Sequence, residues 1–68
     1  MAEYLPVAPV KRLIKDAGAE RVSDKACEFL ANVLEANAKE IAEKSVMLAN
    51  VAGRKTVTDE DFKIILEN

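Results

Sequence analysis

Residues 24–52 read DKACEFLANVLEANAKEIAEKSVMLANVA, and this stretch decides the fold. It contains neither proline nor glycine and is rich in Ala, Leu, Glu and Lys, residues that lose little side-chain freedom in a helix. Ser23 or Asp24 suits the N-cap, and Gly53 stops the run. At about 1.5 Å per residue the helix spans roughly 43 Å. A compact globule of the same chain has a radius of gyration near 11 Å, hence a width of about 28 Å, so both helix ends overhang unless something else covers them. The apolar pattern agrees. At about 100° per residue, Ala26, Leu30, Val33, Leu34, Ala38, Ile41, Leu48 and Ala52 share one sector, which Cys27, Ala31, Ala42 and Ala49 widen toward half the circumference. An ordinary surface helix needs a stripe of little more than about 100°. Dimerisation through the long helices is the economical way to cover the excess.

Outward from this helix the chain is punctuated on both sides. Pro6 and Pro9 flank the start of a short amphipathic segment, residues 7–17, in which Val10, Leu13, Ile14 and Ala17 recur at helical spacing. Proline is tolerated in a first turn, and Gly18 suits the left-handed position after the end. Beyond Gly53, residues 54–57 form a second connector. Thr58 with Asp61 three positions later is a capping-box variant opening a last helix over residues 58–66. The expectation is an all-α chain of one domain, residues 1–68, with helices over 7–17, 24–52 and 58–66.

Composition excludes more than it assigns. A chain of 68 residues has no room for a second domain, and domains this small often borrow stability from a partner. Half of it is apolar and 32% charged, which argues against disorder. No run approaches the roughly 20 apolar residues of a membrane span, and no signal peptide opens the chain. One cysteine and no histidine leave no intramolecular disulfide, no zinc site of the usual ligand sets and no imidazole catalysis. Two scattered glycines make no phosphate loop. No catalytic residue, metal or cofactor is expected. Ten Lys and Arg against twelve Asp and Glu give a net charge of −2. A nucleic-acid role must therefore rest on where the cations sit, not on their number.

The connectors carry a resemblance. Leu5-Pro6-Val7-Ala8-Pro9-Val10, then Ala17-Gly18-Ala19-Glu20-Arg21-Val22-Ser23, then Ala52-Gly53-Arg54-Lys55-Thr56-Val57 resemble the archaeal histones at the same mutual spacing, and the likeness covers residues 5–66. It implies a histone fold and a head-to-tail handshake dimer whose long helices cross near their middles, with Leu30, Leu34, Asn37 and Ile41 at the dimer interface. Each first connector then lies beside the partner's second connector. Such dimers hold double-stranded DNA, minor groove inward, along three patches, engaging roughly 30 base pairs at about 10 per turn. On this reading Arg21 reaches toward the minor groove, and Arg12 and Lys15 contact phosphate, with Lys11 as a flanking cation. Lys55 and Thr56 supply charge and hydroxyl at the second connector. Backbone amides at Val22 and Ser23 add uncharged phosphate donors. Arg54 instead pairs with Asp61 and shapes the second loop. Six of the ten cations, Lys11, Arg12, Lys15, Arg21, Arg54 and Lys55, thus fall on the first helix and the connectors. Glu28, Glu35, Glu40 and Glu43 read as a solvated face of the long helix. The implied location is the chromosome, in an archaeal cytoplasm.

The chain also departs from that pattern. Where many archaeal histones carry additional cations it has Asn32 and Asn50 and ends Glu67-Asn68, which predicts lower affinity and a shallower salt dependence. Val51 replaces a histidine that in many members bonds, across a dimer–dimer interface, to the acid matching Asp61. Leu48 and Ile64 match that interface's apolar positions. A valine makes no such bond, which leaves either a more purely apolar interface or one that no longer closes. The second outcome is favoured, because a closed interface would leave Asp61 near apolar surface, and it describes a variant that forms dimers readily but limits chains of dimers on DNA. Asn37, in the apolar stripe, either pairs across the two-fold axis, selects a heterodimer partner, or is satisfied by water. Cys27 reads as a small buried hydrophobe, and Phe29, Met47 and Phe62 as packing residues. Tyr4, near a terminus, is uninformative.

The reading is a histone dimer, homo- or heterodimeric, that binds, bends and compacts double-stranded DNA without strong sequence preference, forms higher oligomers on it, and uses no cofactor or membrane. A histone-fold interaction module that touches DNA weakly or not at all is the alternative, supported by the acidic balance. A helix-turn-helix repressor fails because the last helix offers only Lys63 as a cation.

Overall fold

Pro6, with φ −70° and ψ 152°, turns the chain into helix α1, Val7–Asp16. The helix ends at Gly18, whose φ of 120° lies where side chains strain the backbone. The Gly18 N–H donates to the Lys15 carbonyl at 2.9 Å and the Ala19 N–H to that of Ile14 at 3.4 Å, the paired bonds of a Schellman stop. Ser23 then caps helix α2, Asp24–Val51, its Oγ accepting the Ala26 N–H at 3.1 Å. A second Schellman stop closes α2. Gly53, at φ 74°, donates to Asn50, and Arg54 donates to Ala49 at 2.9 Å. Helix α3, Asp59–Glu67, starts after Thr58, whose N–H donates to the Asp61 carboxylate at 2.8 Å. That is the reach-back half of a capping box. The architecture is all-α, short–long–short. The helix ends fall one residue from the sequence reading, because Ala17, Ala52 and Thr58 lie just outside their helices and α3 gains Glu67.

The computed structural model describes residues 2–67, so Asn68, at the end noted above for its lack of cations, lies outside them. Two compact units divide the chain at Ala36/Asn37, and α2 runs through both. In the first unit Val10 of α1 and Cys27 and Ala31 of α2 are buried, with Ala2, Val7, Ile14, Val22 and Leu30 packed against them. Cys27 and Ala31 lie one turn apart on α2, and their small side chains let α1 approach. The thiol is wholly enclosed, as a small hydrophobe should be. In the second unit Ser45, Ala49 and Asp61 are buried.

Other apolar positions go uncovered. Leu13, read as part of the α1 stripe, is exposed. Phe29, Met47 and Phe62 read as packing residues, but Phe29 is 72% and Met47 67% exposed, and Phe62 is exposed as well. The reason is geometric. In the first unit Phe29 points away from Cys27 and Ala31, in the second Met47 points away from Ser45 and Ala49, and a single chain has too few elements to enclose both sides of a helix. No helix among the described residues is long and apolar enough to cross a membrane.

Candidate nucleic-acid interface

The first group of candidate residues belongs to the first unit. Val10 faces the core, and at about 100° per residue Arg12 lies opposite it with Lys15 one turn further on. Both are exposed, while Lys11 beside them is half-buried. The connector that follows is held on either side of its key contact. The Val22 side chain packs on the core cluster, and Ser23 is engaged as the α2 cap. Arg21, immediately before these two anchored residues, is therefore presented to solvent from a fixed stretch of backbone. Among the described residues the N–H groups of Val22 and Ser23 have no hydrogen-bond partner, and both remain available to an anion.

The second group lies in the second unit and is organised by one carboxylate. Arg54 grips Asp61 with both terminal nitrogens, at 3.0 Å to Oδ2 and 2.6 Å to Oδ1. It also donates to the Thr56 carbonyl at 3.1 Å. Asp61 Oδ2 further accepts the Thr58 N–H at 2.8 Å and the Thr58 hydroxyl at 3.3 Å. The Asp61 side chain is only 2% exposed. The Arg54 guanidinium, then the Thr58 N–H, hold its carboxyl far below the usual carboxylate range, and the same pair raises the pKa of Arg54. Residues 54, 56, 58 and 61 are thus one tied loop, from whose surface Lys55 and Thr56 project.

Electrostatic pairing separates the cations into two classes. Lys44 pairs with Glu40, Lys63 with Asp59 and Glu60, and Arg54 with Asp61. Among the described residues Lys11, Arg12, Lys15, Arg21 and Lys55 are in no ion pair. Lys25 and Lys39 of α2 are likewise exposed and in no ion pair among the described residues, so the cations on α1 and at the connector tips are most, but not all, of those left for an external anion in a chain of net charge −2. Lys63, the one cation a recognition helix at α3 could offer, is occupied by its own neighbours.

The interface candidates divide similarly. Leu30, Leu34 and Ile41 are half-buried and Asn37 is exposed, while Leu48 is half-buried and Val51 is 86% exposed. Within the chain Asp61 presents almost no surface. Arg54 and Thr58 make four hydrogen bonds to it, three to Oδ2 and one to Oδ1.

Two features escaped the sequence reading. Glu35 is no solvated acid. Its carboxylate accepts the N–H groups of Glu3 at 2.9 Å, Tyr4 at 2.9 Å and Leu5 at 2.6 Å. These bonds, that of Leu5 foremost, lower its pKa below the ordinary value of 4.5. Nothing in the local pattern signals this, because the donors are backbone groups some thirty residues away. Ser45 is fully buried, and among the described residues its Oγ has no hydrogen-bond partner. Here a signal existed: Ser45 lies four residues before Ala49, one turn away on the same side of α2.

Comparison with known proteins places this geometry. Residues 3–66 match the family described as histone-like transcription factor (CBF/NF-Y) and archaeal histone. The chain is 58% identical over 66 residues to probable archaeal histone 3 of Methanocaldococcus jannaschii, covering 97% of both. It is 51% identical over 67 residues to a subunit of the archaeal histone HAN1 from Thermococcus zilligii, covering 98% of both. It is 32% identical over 65 residues to histone H2A-like 1 of Mus musculus, covering 94% of this chain and 62% of that protein. With its short–long–short helices, the chain belongs to the family of archaeal histones and histone-like transcription factors.

Proposed function

We propose that this chain works as a single histone-fold domain, dimerises through α2, and binds, bends and compacts double-stranded DNA on an archaeal chromosome without strong sequence preference. One observation carries the reading. Arg12, Lys15, Arg21 and Lys55 are exposed, in no ion pair among the described residues, and set on the first helix or on anchored loops; Lys25 and Lys39 of α2 are unpaired as well, whereas Lys44, Arg54 and Lys63 pair with internal acids. Cations held this way bind phosphate without first breaking an ion pair. In the handshake arrangement, Arg21 of one chain and Lys55-Thr56 of the other share a contact patch, and the Arg12–Lys15 pairs of both chains form the central one. Leu30, Leu34, Asn37 and Ile41 line the dimer interface. Binding involves no catalysis, metal or cofactor.

The test is a titration of a random-sequence duplex of about 60 base pairs at several salt concentrations. With Arg12, Lys15, Arg21 and Lys55 as the contact cations of each chain, a dimer that engages most of them is expected to show a log–log slope of about −5 to −7. Absence of binding at low salt would leave the alternative, an interaction module whose connectors are only solvated loops.

Dimers joining along DNA would use Leu48, Val51 and Ile64. With Asp61 satisfied inside its own loop, that contact is apolar and not crippled by the missing histidine. Substitution of the exposed Val51 by Asp (V51D) is expected to leave the dimer intact. The same change should shorten the DNA-bound assembly to isolated dimers, read as the footprint in nuclease protection. An unchanged footprint would remove Val51 from the contact.

A further inference from the structure

The start of α1 has an unusual support. Its N-cap is Pro6, which makes no side-chain cap bond, and no acidic residue stands in its first turn. The usual means of fixing a helix start are therefore missing. What fixes the segment instead is α2. The Glu35 carboxylate gathers the N–H groups of Glu3, Tyr4 and Leu5, the three residues directly before Pro6. Ala2, one residue earlier, packs against the Val10–Cys27–Ala31 cluster. Charge-assisted bonds of this kind are about twice as strong as neutral ones. Residues 2–5 are thus a strap, seated at one end by apolar contact and clamped along its length by a single side chain.

We infer that Glu35 is a positioning residue for DNA binding: by clamping the strap it fixes the origin of α1 and hence the placement of Arg12 and Lys15. The helix is ten residues long and close to rigid, so a shift at its origin carries through to both cations. The positioning role rests on the DNA contacts proposed above for those two residues. It makes a prediction opposite in sign to simple charge counting. Removing an acid from a net-negative chain should raise affinity for DNA, whereas releasing the strap should lower it.

The experiment compares the full-length dimer with Glu35→Ala, Glu35→Asp and Glu43→Ala. Glu43 is an exposed α2 acid in no ion pair among the described residues. Glu35→Asp keeps the charge but shortens the side chain by one methylene, too short to span three donors. Two readouts are taken: amide hydrogen exchange at Glu3, Tyr4 and Leu5, and affinity for the duplex at fixed salt. The expected result is loss of amide protection and about a fivefold loss of affinity in both Glu35 variants. Glu43→Ala is expected to keep protection and gain up to about twofold in affinity. Protection unchanged in Glu35→Ala would overturn the clamp. Protection lost while affinity rises as in Glu43→Ala would overturn the positioning role. If the unmodified dimer failed to bind DNA, the function proposed above and the positioning role would both fall, while amide exchange would still report on the clamp. Circular dichroism keeps the test valid, because Glu35→Asp preserves charge and helix should Glu35→Ala unfold.

Discussion

Reversing the charge of Arg21 to glutamate is expected to abolish binding to a random-sequence duplex while leaving the dimer intact. The expectation follows from how Arg21 is held. Its neighbours are fixed, Val22 by the core and Ser23 by the α2 cap, and Arg21 itself is exposed with no ion pair among the described residues. Nothing inside the chain is lost when it is replaced. A dimer carries two copies, so the change takes its formal charge from −4 to −8, since each chain moves from −2 to −4. It also places a carboxylate where a narrow minor groove concentrates negative potential. Loss of one Arg contact costs about 1–3 kcal/mol, and reversal at two symmetry-related sites costs more than removal, so a drop of at least about 100-fold is expected. Electrophoretic shift on the duplex reads the affinity, and sedimentation reads the dimer. Affinity within about twofold of the parent would assign Arg21 to solvent and favour the interaction-module reading.

Replacing Asp61 by alanine is expected to give the largest loss of stability of any single change in the chain. The carboxylate is buried, accepts four hydrogen bonds and ties Arg54, Thr58 and, through Arg54, the Thr56 carbonyl into one loop. Its removal leaves the guanidinium without its charge partner and the Thr58 N–H without its cap. A fall in the melting temperature on the order of 10 °C is expected by calorimetry at fixed dimer concentration. The acid dependence provides a second readout. The folded carboxyl is held far below the unfolded value of 3.8, so the unfolded chain takes up the proton first and acid favours unfolding. The pair's contribution is complete above the unfolded value and disappears as pH falls through the folded one. Asp61→Ala should therefore flatten the stability profile below about pH 4. An unchanged acid limb would show that the pair does not govern it. Arg54→Ala should be similarly harmful, because it strands a buried carboxylate, and the double variant should cost less than the sum of the two.

Asp61 also shows how far sequence reading reaches. Its pairing with Arg54 was legible only through the family resemblance, because nothing in the spacing of residues 54 and 61 requires a bidentate contact. Its burial and its bonds from Thr58 were not legible to that extent. Glu35 was invisible for a related reason. A carboxylate on the polar side of a helix looks alike whether it faces water or three backbone N–H groups, since every residue but proline carries that donor.

The sequence by itself determined the elements. The absence of Pro and Gly across residues 24–52, glycines at 18 and 53 placed for left-handed stops, and Ser23 and Thr58 at the caps are local chemistry. They specify three helices to within one residue. The connector motifs pointed to the function class through their resemblance to archaeal histones, and the positions of the cations agreed with it. Only the tertiary structure decided which side chains are spent internally and which are left over. It tied Arg54 to a buried Asp61, used Glu35 on a distant backbone segment, exposed Phe29 and Met47, and presented Arg21 from a loop fixed by Val22 and Ser23. The physical reason is that helix propensity and capping act over a few residues, whereas burial and pairing depend on groups that only folding brings together.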